Sequence, residues 1–251
     1  MSEAMDAEFD TVAEWTARVA LDLGEDYYLP AACRGSGSPP GLQWLIDQMG
    51  LGAEVSLLDC GAGVGGPAAY AAQAVSARPV LAEPEAGACR AARQLFGFPV
   101  VQAVGSALPV PDESFDAAWA LGVLCTTTDQ LTVLTEMRRA VRASGPIGLL
   151  VFMAHDEEAA DRLETNHFPT RPELTALVER SGLRVRAWRS TVDLPAIAED
   201  WKDRTALVTE ELNIRYAHTR EWQLAERQSG AISDLLRQQA VTGEMLVLTR
   251  A

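Results

Sequence analysis

The run Leu57-Leu58-Asp59-Cys60-Gly61-Ala62-Gly63-Val64-Gly65-Gly66 is where residue types and spacing bear most directly on chemistry. An apolar segment ends at an acid and turns through glycines into an Ala-rich stretch. Glycine carries no Cβ, so backbone built from it can approach a ligand closely. In open α/β sheets the ligand crevice lies beyond the carboxyl ends of the strands, and a first β-α turn of this kind opens onto it. Gly61, Gly63 and Gly66 also satisfy G-x-G-x-x-G, the spacing of a dinucleotide-binding turn. Asp59 points elsewhere, because a carboxylate two positions before the first glycine can orient the turn and attract the ammonium of an amino-acid ligand. A pyrophosphate gains nothing from it. Glu83 ends the next apolar run, where an acid can accept hydrogen bonds from both hydroxyls of a ribose, whichever nucleotide-like ligand is bound.

Proton transfer has few candidate imidazoles, since the chain contains three histidines. His155 follows a predicted strand and His167 lies in Asn166-His167-Phe168-Pro169, so both are expected near a substrate mouth, while His218 falls in a helical segment. Tyr27 and Tyr28 can close over a bound ligand or pack beneath a helical cover. Arg34 can pair with a ligand carboxylate or stand exposed in its loop. Cys125 reads as a small apolar lining, and Trp201 and Trp222 as packing residues of a helical segment. No H-x-x-x-H or C-x-x-C pair suggests a metal, and Cys33, Cys60, Cys89 and Cys125 are too dispersed for a disulfide framework.

The elements that must position these residues alternate. Strands are expected at 54–59, 79–83, 100–104, 115–122 and 147–153, with helices at 65–77, 85–96 and 130–141 between them. A helix at 172–181 and strands at 184–190 and 244–249 follow. Such alternation requires crossover helices and predicts a Rossmann-like, seven-stranded, mostly parallel sheet covered on both faces. Before it, apolar positions Phe9, Val12, Trp15, Val19 and Leu23 recur at helical spacing over 7–23. Residues 25–40, rich in Gly and Pro, read as a loop, and 41–49 as another helix. The expected organisation is an N-terminal helical cap over 1–50 and a catalytic domain over 51–251. Within the latter, 192–241 is a helical insertion serving as a lid or a dimerisation element.

With 48% hydrophobic residues in 251, the chain can bury one substantial core. Its 35 acidic residues against 21 basic give a net charge of -14, which repels nucleic-acid backbones and anionic membrane surfaces. The arginines at 138, 139 and 142 read as a solvated helix face. The acidic segment Met1–Asp10 lacks the features of a secretory signal, and no apolar run is long enough to span a bilayer, so a cytoplasmic location is expected. A bias towards Ala, Arg and Gly suggests a bacterial source.

Asp59-Cys60-Gly61-Ala62-Gly63-Val64-Gly65 resembles motif I of class I S-adenosylmethionine-dependent methyltransferases, particularly the ubiquinone/menaquinone-biosynthesis type. Glu83 matches the acid of that family's motif II. Val104-Gly105-Ser106-Ala107-Leu108-Pro109 with Asp112–Trp119, and Leu134–Gly148 with Glu136, Arg138, Arg139 and Gly145, resemble two further motifs in the family's order. The likeness covers about residues 54–151. It implies S-adenosylmethionine as cofactor, held by Asp59, Gly61, Ala62, Gly63, Gly65, Glu83, Pro84, Ser106, Ala107, Leu121 and Tyr28. It further implies methyl transfer to an O, N or C nucleophile of a small molecule, with His167 and His155 as candidate bases. One position departs from the family: Ser106 stands where an acid usually accepts a hydrogen bond from the adenine amino group, leaving that contact to a shorter side chain or to the backbone of Ala107. A methyltransferase fold used for cyclisation or decarboxylation, a nicotinamide-dependent oxidoreductase and a non-catalytic binding module are the competing readings.

Overall fold

A computed structural model describes residues 3–156 and 166–251. Seven strands form one sheet: β1 (Ser56–Cys60), β2 (Arg78–Glu83), β3 (Val100–Gln102), β4 (Ala117–Leu121), β5 (Ile147–Ala154), β6 (Leu183–Ser190) and β7 (Val241–Arg250). Their order is β3-β2-β1-β4-β5-β7-β6, parallel except for β7, which runs antiparallel to both β5 and β6. Strand order therefore reverses between β1 and β4, and the turn after β1 opens at that switch point. The predicted Rossmann-like sheet is present.

Ten α-helices are described: α1 (Glu3–Asp6), α2 (Ala13–Leu23), α3 (Tyr28–Ala32), α4 (Pro39–Met49), α5 (Gly66–Val75), α6 (Ala86–Phe96), α7 (Gln130–Ala140), α8 (Arg171–Arg180), α9 (Glu199–Tyr216) and α10 (Arg220–Arg237). Between α1 and α2 the chain is π-helical over Ala7–Val12. None of these helices is long and apolar enough to cross a membrane.

Both sheet faces are buried, as a parallel sheet requires. Leu58, Cys60, Ala118 and Ala120 pack on one face with Val133, Leu134 and Met137 of α7. On the other, Leu57, Ala117, Trp119 and Leu121 meet Leu42, Leu45 and Ile46 of α4. By strand alternation the Asp59 side chain falls on this second face, beside its β4 partner Trp119.

Residues 25–40 are not a loop throughout. A 3-10 turn, Glu25–Tyr27, leads into α3, and Pro30 lies in the first turn of that helix, where its missing N–H leaves no hydrogen bond unmade. The expected strand over 100–104 ends at Gln102, after which Ala107 N–H donates to Val104 O and closes a turn.

The first helices and the 192–241 segment are joined. Trp15 of α2 stacks on Tyr216 of α9 with ring centroids 4.1 Å apart, Arg215 pairs with Asp22, and Arg220 pairs with Glu3 at 2.6 Å. Val12, Ala17, Val19, Val208, Leu212 and Trp222 share one apolar cluster. Segments about two hundred residues apart thus form a single cover.

Candidate functional site

Three glycines of the turn after β1 take left-handed backbone, with φ of +72° at Gly61, +54° at Gly63 and +85° at Gly65. They do different work. A Cβ on Gly61 would lie 2.4 Å from a Val123 methyl, whereas a Cβ on Gly63 would meet nothing within 4 Å and point into open space. Gly66 is different again: its missing Cβ would lie 2.4 Å from the carbonyl carbon of Ala32 and 2.6 Å from Cys33 N. The last glycine of the G-x-G-x-x-G run is therefore committed to the close approach of α3.

Asp59 is 1% exposed, and its Oδ2 has no hydrogen-bond partner. Burial pushes its pKa up to about 7; the Trp119 indole N–H opposes this, and the charge of Glu83 adds to it. That indole Nε1 stays outside hydrogen-bond geometry and is itself unpartnered. A buried polar atom without a partner is costly, and a ligand ammonium is the kind of donor that relieves a carboxylate.

Glu83, at the end of β2, is 4% exposed and engages the same turn. Its Oε2 accepts from Gly63 N–H at 2.8 Å and its Oε1 from Glu85 N–H at 3.0 Å. Burial raises its pKa to about 7, opposed by those two hydrogen bonds and reinforced by the charge of Glu85. Each oxygen keeps a lone pair for a further donor. Pro84 follows it directly, and its carbonyl accepts from Gln102 Nε2 at 2.9 Å.

Ser106 is partly buried and Ala107 exposed on the loop after β3. The Ala107 N–H donates to Val104 O at 3.1 Å, which leaves its carbonyl as the backbone group able to accept from an adenine amino group. The loop is clamped by Arg139, read from sequence as part of a solvated face, together with Glu136. Arg139 reaches Leu108 O at 2.9 Å, Val110 O at 2.8 Å and Asp112 Oδ1 at 2.8 Å, while Glu136 Oε2 accepts from Leu108 N–H at 3.1 Å. The i,i+3 pair Glu136–Arg139 is thus a loop anchor, and its spacing on α7 was the available signal.

Leu121 is buried at the end of β4. Tyr28 sets its ring edge-on to Phe96 at 6.4 Å, in the apolar cluster that includes Val64 of the glycine turn. His155 and His167 are both exposed; their backbone N–H groups bond Ala240 O and Cys125 O, and among the described residues neither imidazole has a partner. The structure thus gathers Asp59, the glycines, Glu83 and the 105–108 loop around one crevice and leaves the two histidines in solvent. Cys125 is buried, with burial pushing its thiol up to about 12. Trp222 is buried in the cover, whereas Trp201 lines a cleft.

That cleft, of about 790 Å³, lies between the 34–38 loop and helices α9 and α10, with Arg34, Trp201, Thr205, Asn213 and Glu226 on its wall. Arg34 is not an exposed loop arginine. Burial lowers its pKa, Glu226 and Glu8 oppose the shift, and among the described residues its guanidinium makes no hydrogen bond or ion pair.

An orphaned acid for an ammonium, a second acid over an open glycine and a loop for a base fit S-adenosylmethionine group by group. A family model described as a methyltransferase domain matches residues 58–149. No curated protein matches the sequence significantly. Among solved structures, the [4+2]-cyclase SpnF superposes with a TM-score of 0.66 at 18% identity, covering 86% of this chain and 83% of that one. The cyclopropane synthase MmaA2 from Mycobacterium tuberculosis gives 0.67 at 12% identity, over 94% and 98% of the chains. Geranyl diphosphate C-methyltransferase from Streptomyces coelicolor A3(2), solved with S-adenosyl-L-homocysteine, gives 0.61 at 12% identity, over 84% and 75%. At such identities the likeness establishes the fold, and the methyltransferase-domain match covers the segment that carries the motif residues around the crevice.

Proposed function

We propose that this enzyme transfers a methyl group to an O, N or C nucleophile of a small molecule, in bacterial secondary metabolism. The observation that carries the reading is the buried Asp59 carboxylate, with one oxygen unpartnered, beside Glu83 at the switch point of the sheet. Bound S-adenosylmethionine supplies an electrophilic methyl on a sulfonium. Asp59 takes the cofactor's ammonium, the backbone of Gly61, Ala62, Gly63 and Gly65 passes beneath it, and Glu83 holds the ribose. Pro84, Ser106, Ala107 and Leu121 border the adenosine, and Tyr28 supports the turn from outside. The cover excludes water and holds the acceptor in line, and such positioning contributes several kcal/mol to lowering the barrier. His155 and His167 remain candidate bases only if closure brings them inward. A small acceptor agrees with the cleft of about 790 Å³ and with the acidic chain, which disfavours polymeric anions.

Calorimetric titration with S-adenosylmethionine and S-adenosylhomocysteine tests this, with NAD and NADP alongside. Both adenosyl ligands are expected to bind, with at least tenfold losses in Asp59→Ala and Glu83→Ala. Preference for a dinucleotide would overturn the reading. The likeness to a [4+2]-cyclase supports a second reading, in which the bound cofactor is not consumed. Accumulation of S-adenosylhomocysteine with turnover separates the two.

A further inference from the structure

Charges of both signs stand on the walls of the cleft of about 790 Å³, and they are not matched to each other. Lys202 of α9 is taken, since its Nζ pairs with Glu199 at 2.8 Å. Arg34, Glu210 and Glu226 are not: among the described residues none of these three side chains makes a hydrogen bond or an ion pair, although all line the same space. The backbone around Arg34 is fixed. Arg34 N–H donates to Ala31 O at 3.4 Å, Ser36 N–H donates to Cys33 O at 3.3 Å, and Gly35 takes a φ of +78° between them. α3, from which this turn issues, is itself held against Gly66. The acids come from helices, Glu210 from α9 and Glu226 from α10, so the two signs are presented from the two sides of the cleft by separate elements.

A plain anion would meet two acids here, and a plain cation would meet Arg34. A ligand that carries both charges answers both sides at once, and a guanidinium holds a carboxylate through two parallel N–H donors. Of the two acids, Glu226 is the one whose charge reaches Arg34. Trp201 lines the same cleft and offers it an apolar surface. Asn213 adds a donor: its Oδ1 accepts from Trp222 Nε1 at 3.2 Å, and its Nδ2 keeps its protons for a ligand carbonyl. The volume falls within the range of small-molecule sites, about 300–1,000 Å³. We propose that the cleft binds an α-amino acid as its zwitterion, with the carboxylate on Arg34, the ammonium on Glu226 and a large apolar side chain against Trp201. Recognition of this kind does not depend on the methyl-transfer reading; it rests on the cleft alone.

The test is calorimetric titration of the cofactor-free protein at about pH 6.5, where an α-amine that ionises near about 8 is charged. The ligands are L-phenylalanine, N-acetyl-L-phenylalanine and L-phenylalaninamide, which share one side chain and carry both charges, only the negative one and only the positive one. L-phenylalanine is expected to bind at least about tenfold more tightly than either derivative, the worth of a hydrogen bond to a charged group. Arg34→Ala should weaken L-phenylalanine and its N-acetyl form about tenfold and spare the amide. Glu226→Gln removes a more exposed charge, so it should weaken L-phenylalanine and the amide about threefold and spare the N-acetyl form. Arg34→Lys and Glu226→Asp retain the charges and are expected to retain the preference for the zwitterion, which separates loss of charge from loss of fold. Trp201→Phe should remove most of the change in tryptophan emission that L-phenylalanine causes. Equal binding of the three ligands, no binding of L-phenylalanine, undiminished preference for the zwitterion over the amide in Arg34→Ala, or an emission change that survives Trp201→Phe overturns the proposal. Failure of S-adenosylhomocysteine to bind in a parallel titration removes the methyl-transfer reading and leaves this one standing.

Discussion

Ser106 stands where related enzymes carry an acid, and it is half-buried on a loop that Arg139 and Glu136 hold against α7. Because the loop is clamped, lengthening the side chain changes its reach without freeing the backbone. Ser106→Asp is expected to tighten S-adenosylhomocysteine by about threefold to tenfold, the net worth of one added hydrogen bond. Calorimetry checks it, and unchanged affinity would mean that the adenine edge is bound elsewhere. At this scale the sequence was legible for the placement of Asp59 and Glu83, since each closes an apolar run of the kind that becomes a buried strand. It was not legible for Glu8, Arg34 or Arg139. Each is a charged residue in a helix or loop, and only tertiary packing distinguishes a desolvated or clamping charge from a solvated one.

The glycine turn and α3 belong to the scale of elements, where two nominally equivalent substitutions should part company. Gly66→Ala drives a Cβ to 2.4 Å from the Ala32 carbonyl carbon, so α3 must shift. Overpacking of this kind costs about 1–3 kcal/mol, and each kcal/mol lowers Tm by about 2–4 °C in a chain of this size. Gly63→Ala has open space for its Cβ but a φ of +54°, which costs an L-residue about 1–2 kcal/mol. Its larger effect falls on the ligand, and S-adenosylhomocysteine affinity should drop at least tenfold. Thermal melts with matched titrations distinguish these outcomes, and equal affinity losses would remove the division of labour. The parallel strands were readable because apolar runs bounded by turns repeat at regular intervals. α3 was hidden because Pro30 and the flanking glycines signal a break, while the helix itself is held by contact with α5 and α9.

Across the whole molecule, three carboxyl groups, Asp59, Glu83 and Glu8, are all raised by burial to about 7 from ordinary values of 3.8 for the aspartate and 4.5 for the glutamates. Between those limits the folded protein retains protons that the unfolded chain has released, so stability falls as pH rises. Their contribution is full below about pH 4 and lost through about pH 7. Asp116 and Glu136 are shifted the opposite way, so their linkage acts at acid pH, below this window. The ligand-free protein should melt at a lower temperature at pH 8 than at pH 5.5, and S-adenosylhomocysteine should raise Tm more at pH 8, where its ammonium meets an ionised Asp59. Scanning calorimetry in the two buffers checks this; a Tm that climbs with pH would contradict the burial of these acids. The joining of the first helices to α9 and α10 was unreadable from sequence, because the Trp15–Tyr216 stack and the Arg215–Asp22 pair link segments with no local signal for each other.

The position of β7 between β5 and β6 imposes an order on biosynthesis. A chain emerging from the ribosome can assemble β1 to β4 and the glycine turn early, from neighbours close in sequence. β6 has no hydrogen-bonded place in the sheet until residues 241–250 have emerged, because among the described residues β7 is the one strand it pairs with. The ligand-binding turn is therefore complete before the far edge of the sheet can close.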